Sequence, residues 1–165
     1  MHSELEKLRF ELRVNKSLAS KLAILLIRLE RVSYFSWFVL PFRVVVLNFM
    51  FNTEIPKVVK IGKGLRMPHP FGILVHPLVS IGSNASIFQF VTIGVNEFKQ
   101  NQAIEIGDDV YIGAKVSIIS VSIPSCTVIS AHALVTKDIP AGSYVFGRNE
   151  TKLKEDAKSR RRIIT

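Results

Sequence analysis

The chain has 165 residues, 48% of them apolar and 21% charged, with a formal net charge of +9. This excludes a disordered chain and is enough for one domain with a real core. A single cysteine, Cys126, excludes an internal disulfide and a thiolate zinc site, while the basic balance directs attention to nucleic acid, phosphorylated cofactors or an acidic membrane surface.

Residues 1–12 are charged throughout and do not read as a secretory leader, so a cytoplasmic location is expected. No glycine precedes Gly62, and Leu5, Leu8 and Leu12, then Leu22, Leu25, Leu26 and Leu29, recur at helical spacing. Asn15 to Ser17 marks a break between two helices. Residues 33–51, VSYFSWFVLPFRVVVLNFM, are strongly apolar. They do not form a spanning segment, because Pro41 and Arg43 interrupt them and about 20 apolar residues are needed. Two readings stay open for residues 1–53: a helical cap or subunit interface, or a segment that lies on a membrane surface through residues 20–51, at its inner face.

From Ile55 the period changes to six. The segments IPKVVK, IGKGLR, MPHPFG, VHPLVS, IGSNAS, IFQFVT, IGVNEF, IGDDVY, IGAKVS, IISVSI, IPSCTV, ISAHAL and VTKDIP all begin with Ile, Val or Met. Glycine follows at Gly62, Gly82, Gly94, Gly107 and Gly113. Neither a helix nor a simple strand has this period, whereas a short flat strand plus a corner does. Three such sides make a triangular coil of eighteen residues, and stacked coils bury a column of aliphatic side chains. The register slips between Met67 and Val75, across Val95 to Glu105, and between Ile118 and Ile123. Residues 54–147 are thus expected to form the solenoid with a loop at 95–105, and residues 148–165 a basic tail.

These hexads resemble the left-handed parallel β-helix acyltransferases of the hexapeptide-repeat family. The stretches that carry the likeness are EIPKVVKIGKGLRMPHPFGILV, VSIGSNASIFQFVTIG, IEIGDDVYIGAKVSII and ALVTKDIPAGSYVFG. Within the family, they are most similar to serine acetyltransferases and related bacterial polysaccharide O-acetyltransferases. The resemblance implies a mainly β solenoid with an N-terminal α-helical segment, a homotrimer with sites between subunits, and acetyl transfer from acetyl-CoA to a hydroxyl without a metal. A hydroxyl is a weak nucleophile and needs a positioned base, for which imidazole is well suited.

By the same resemblance His69 is the general base, and Glu54, fifteen residues earlier, stands where the family has an orienting carboxylate. Gly94, Ala114 and Lys137 match cofactor-side positions; Arg148 or the Arg160 to Arg162 cluster would supply phosphate contacts at the adenine end. The pattern also departs from the serine enzymes. Pro68 replaces the aspartate before the base, and Gln102 and Ala103 replace an Arg-His pair. The expected acceptor is therefore a hydroxyl of a sugar in a surface polysaccharide or its precursor, bordered by Asn96, Asn101 and Gln102. Serine O-acetylation is the alternative, and a non-catalytic β-helix scaffold a further one. His76 sits at a corner position, and His69 with His76 makes a poor metal-ligand set. No helix-turn-helix, zinc spacing or aromatic platform accompanies the basic charge, so no nucleic-acid partner is expected.

Overall fold

The computed structural model describes residues 2–32, 36–96 and 103–153. Helices α1 (His2–Val14), α2 (Leu18–Glu30) and α3 (Ser36–Arg43) lead into a π-helical segment, Val44–Met50. Ser17 caps α2 by accepting a hydrogen bond from the Ser20 amide. Pro41 lies inside α3 and offers no N–H to the preceding turn. The helix widens to π geometry beyond it, with the Phe51 amide donating to the Val46 carbonyl.

The rest is a three-sided solenoid of short parallel strands. The first face stacks β2 (Leu74–Val75), β5 (Thr92–Gly94), β8 (Ser117–Ile119) and β10 (Leu134–Val135). The second face stacks β1 (Lys60–Ile61), β3 (Val79–Ile81) and β6 (Ile104–Ile106). The third stacks β4 (Ser86–Ile87), β7 (Tyr111–Ile112), β9 (Val128–Ile129) and β11 (Ser143–Phe146). Val75 pairs with Ile93, eighteen residues on, which is one regular coil. All thirteen aliphatic residues that open the hexads, from Ile55 to Val135, are buried. The corner glycines follow from the stacking distance. A Cβ on Gly82 would lie 2.7 Å from the Gly107 carbonyl carbon, and one on Gly107 would lie 2.5 Å from the Ser125 amide.

The first coil has no coil beneath it, and side chains of the helices stand in for the missing backbone. Glu11 Oε1 accepts from the Gly64 and Leu65 amides, both at 2.9 Å. Asn15 accepts from the Met67 amide and donates to the Leu65 carbonyl. Arg28 donates to the Ile61 and Gly62 carbonyls, Arg31 to those of Pro56 and Val59, and Arg43 to that of Ile55. Each is a backbone group that would otherwise be an unpaired edge. Arg28 and Glu11 also pair with each other at 2.6 Å and are almost fully buried, while Glu4 reaches Arg28 at 3.0 Å. Arg43 Nε lies 3.0 Å from Glu30 Oε2, near enough for an ion pair but misaligned for a hydrogen bond.

Two boundaries differ from the sequence reading. Ile104 and Glu105, assigned to the loop, belong to β6, because Ile104 is buried opposite Val79. The segment assigned to a tail from 148 includes β12 (Glu150–Leu153), which pairs antiparallel with β11 and covers the outer edge of the third face. Residues 154–165, with the Arg160 to Arg162 cluster, lie outside the described residues.

Candidate functional site

Every described residue singled out for chemistry lies around the first face. Glu54 sits on it, one coil before β2, bridged in parallel to Leu74. His69 occupies the corner where the chain turns from the third face to the first. The next three coils continue this corner: the Phe90 amide donates to the Phe71 carbonyl, the Lys115 amide to that of Gln89, and the His132 amide to that of Ala114. Ala114 therefore belongs to the same column as His69. Gly94 and Lys137 sit at the opposite corner, where the first face turns to the second. Here Gly94's carbonyl accepts from Ser120, and Lys137's amide donates to Asn149 Oδ1. Asn96 is at this corner as well, its amide 2.6 Å from Ser120 Oγ. Asn101 and Gln102 lie outside the described residues.

His69 and Glu54 are both exposed, and no hydrogen bond joins them in this arrangement. The His69 ring instead lies beside that of Phe88, with centroids 6.3 Å apart, and Phe88 continues to Tyr111 at 5.1 Å. Burial pushes the Tyr111 phenol above its ordinary range. The fold holds His69 by its flanks: Pro68's carbonyl accepts from Ser20 Oγ at 3.0 Å, and Pro70's from Thr53 Oγ1 at 2.9 Å. His76 is different. Its Nδ1 accepts from the Leu78 amide at 3.2 Å, which makes it a turn-closing side chain.

Gly94 stands apart from the other corner glycines. Among the described residues a Cβ there would meet nothing closer than Ile119 Cδ1 at 3.9 Å, whereas at Gly62, Gly82, Gly107 and Gly113 it would strike backbone of the next coil. Neither stacking nor a left-handed φ requires glycine at 94. Gln89 was not singled out from the sequence. Its Oε1 is buried with no hydrogen-bond partner among the described residues, in the corner column that contains His69 and Ala114. A glutamine within an apolar hexad, IFQFVT, was the available signal.

This geometry has close parallels among known proteins. A serine acetyltransferase from Brucella abortus superposes with a TM-score of 0.72 at 22% identity, covering 90% of this chain and 67% of that one. A mirror-image coil would not superpose in this way, so the solenoid is left-handed, as theirs is. The solenoid has the serine acetyltransferase fold. The Neisseria gonorrhoeae serine acetyltransferase matches with a TM-score of 0.68 at 27% identity, over 81% of this chain and 54% of that one. A serine acetyltransferase in complex with CoA matches with a TM-score of 0.65 at 24% identity, over 77% of this chain and 54% of that one. In sequence, serine acetyltransferase from Helicobacter pylori is 29% identical over 111 residues, 66% of this chain and 65% of that protein. The Staphylococcus aureus (strain Mu50) enzyme is 31% identical over 113 residues, 67% of this chain and 53% of that protein. The chain thus spans less than two thirds of the relatives matched in sequence. No protein-family model matches it. The proteins matched here are serine acetyltransferases, and none of those named is a polysaccharide enzyme.

Proposed function

We propose that the chain is an acetyl-CoA-dependent O-acetyltransferase in which His69 is the general base and free serine the acceptor. The observation that carries this reading is His69 itself. It is an exposed imidazole at a fixed corner, fifteen residues after a carboxylate, in a solenoid whose relatives are serine acetyltransferases. In the reaction His69 takes the hydroxyl proton as the oxygen attacks the thioester carbonyl. The tetrahedral intermediate then collapses, the C–S bond breaks, and the imidazolium returns the proton to the departing CoA thiolate. Glu54 orients the imidazole and stabilises its charged form once substrate draws the two together, since such hydrogen bonds often tighten only in the complex.

Acetyl-CoA would lie along the first face. Gly94 supports this, because its missing side chain is unnecessary for stacking and leaves room for a pantetheine arm. Ala114 would line the same path, and Lys137 would meet the far end. The unpartnered Gln89 oxygen offers an acceptor to a donor from outside the chain, from the cofactor or from a neighbouring subunit of a homotrimer.

A second reading, acetylation of a sugar hydroxyl, rests on specific departures. Pro68 and Ala103 stand where serine enzymes carry groups suited to an amino acid's charges. One assay separates the readings: acetyl-CoA with L-serine or with oligosaccharide acceptors, followed through release of the CoA thiol. Turnover with serine, abolished in His69→Ala, supports the main reading. Turnover with oligosaccharides alone transfers the assignment to sugars. Absence of acetyl-CoA binding overturns both in favour of a scaffold.

A further inference from the structure

The helical segment 36–50 is apolar on both sides. Val39, Arg43 and Leu47, spaced by four, face inward and are buried. Phe38, Phe42, Val45 and Phe49, spaced by four, three and four, face outward, with Phe38 73% and Phe49 80% exposed. Trp37, 83% exposed, and Met50 flank them. An outer face of this composition is unusual where water is its only neighbour.

Immediately beside it is a hollow of about 430 Å³ lined by Lys7, Arg31, Lys57 and Lys60 against one carboxylate, Glu4. Val58, also in its wall, is 67% exposed. The two features abut, because Lys57 Nζ donates to Ser36 Oγ, the first residue of α3, at 2.8 Å. Burial and the neighbouring Arg28 charge hold the Arg31 guanidinium down to about 10, and the basic side chains around the hollow outnumber its one carboxylate. From Arg31 to Asn96 the sequence carries six Lys and Arg residues and one acid, Glu54.

We propose that this face docks on an anionic membrane surface. Phe38, Phe42 and Phe49 enter the boundary between headgroups and acyl chains, Trp37 lies at headgroup level, and Lys57 and Lys60 meet lipid phosphates. The charge pattern favours lipid over a second copy, since pairing two such faces would bring their lysines together. No helix among the described residues is long and apolar enough to cross a membrane, so the contact is peripheral.

Trp37 is the chain's single tryptophan and reports directly on this face. The full chain is mixed with vesicles of phosphatidylcholine, with or without phosphatidylglycerol, and followed by flotation and tryptophan fluorescence. The expected result is flotation and a blue shift with phosphatidylglycerol, both reduced by salt. Lys57→Gln and Lys60→Gln should each weaken partitioning roughly fivefold, and Phe38→Ser with Phe42→Ser should abolish it while thermal unfolding stays cooperative. If the serine double variant fails to fold, the two lysine variants and the salt series decide. Absence of flotation with phosphatidylglycerol vesicles overturns the proposal. So does a Trp37 already blue-shifted without lipid that red-shifts on dilution, because a second copy then covers the face.

Discussion

Glu11→Ala tests whether buried side chains really replace a missing coil. Glu11 is fully buried and serves four donors: Arg28 Nε at 2.8 Å, Arg28 Nη2 at 2.6 Å, and the Gly64 and Leu65 amides at 2.9 Å. Removing the carboxylate strips a buried cation of its main partner, a change worth about 3–5 kcal/mol. It also leaves two buried amides unsatisfied, at about 1–3 kcal/mol each. These terms overlap, and Glu4 still reaches Arg28, so the expected net loss is about 4 kcal/mol. For a chain of this length that lowers Tm by roughly 8–16 °C. Calorimetry or thermal circular dichroism measures it. The double variant Glu11→Met, Arg28→Met is more discriminating. Many buried ion pairs can be exchanged for apolar residues at little cost. Here the exchange would still orphan the Gly64 and Leu65 amides, and Arg28 would no longer serve the Ile61 and Gly62 carbonyls. The double variant should therefore remain destabilised by at least about 2 kcal/mol. A loss below about 1 kcal/mol in either variant would refute the edge-replacement reasoning.

Three further outcomes are expected. His69→Ala should lower kcat by about 10²–10⁴-fold with acetyl-CoA binding retained, whereas His76→Ala should leave turnover unchanged and cost about 1 kcal/mol through the lost Leu78 hydrogen bond. Gly82→Ala, which forces a Cβ against Gly107 backbone, should destabilise by roughly 1–3 kcal/mol; Gly94→Ala should leave Tm unchanged and raise KM for acetyl-CoA. Burial pushes the Glu4 carboxyl up, but the hydrogen bond from Lys7 and the charge of Arg28 outweigh it and leave it below the ordinary 4.5. A lowered folded value means that Glu4's contribution is complete above 4.5 and is lost as pH falls through the folded value. A pH series of Tm should show a small acid loss, under about 1 kcal/mol, that Glu4→Gln removes.

The solenoid was legible because its signal is covalent spacing. One aliphatic residue every sixth position has a single consistent destination, and all thirteen reached it. The break before α2 was legible too, because Ser17 is a capping residue by its own chemistry. The roles of Glu11, Asn15 and Arg28 were not. On a helix, charges normally face water, and nothing local in the sequence says that these meet an unpaired strand edge some thirty to fifty residues away. β12 was hidden for a related reason: ETKL has little strand character, and an exposed edge of β11 gives it a partner. The candidate site divides in the same way. His69 and Glu54 are singled out by position alone, and His76 is set aside by its place at a corner. The closeness of His69 to Phe88, and the spare room at Gly94, depend on which coils stack, which spacing alone leaves open where the register slips.

The coil spacing makes the solenoid's length a count. Each coil touches only its neighbours, and both ends have their own terminators, the helices below and β12 above. Duplicating one eighteen-residue turn, such as that between Val75 and Ile93, would lift everything beyond it by about 4.8 Å. The His69 corner would stay in place while Lys137 moved away by the same step. The molecule thus carries a built-in ruler between its proposed base and the far end of its proposed cofactor path, adjustable only in whole turns.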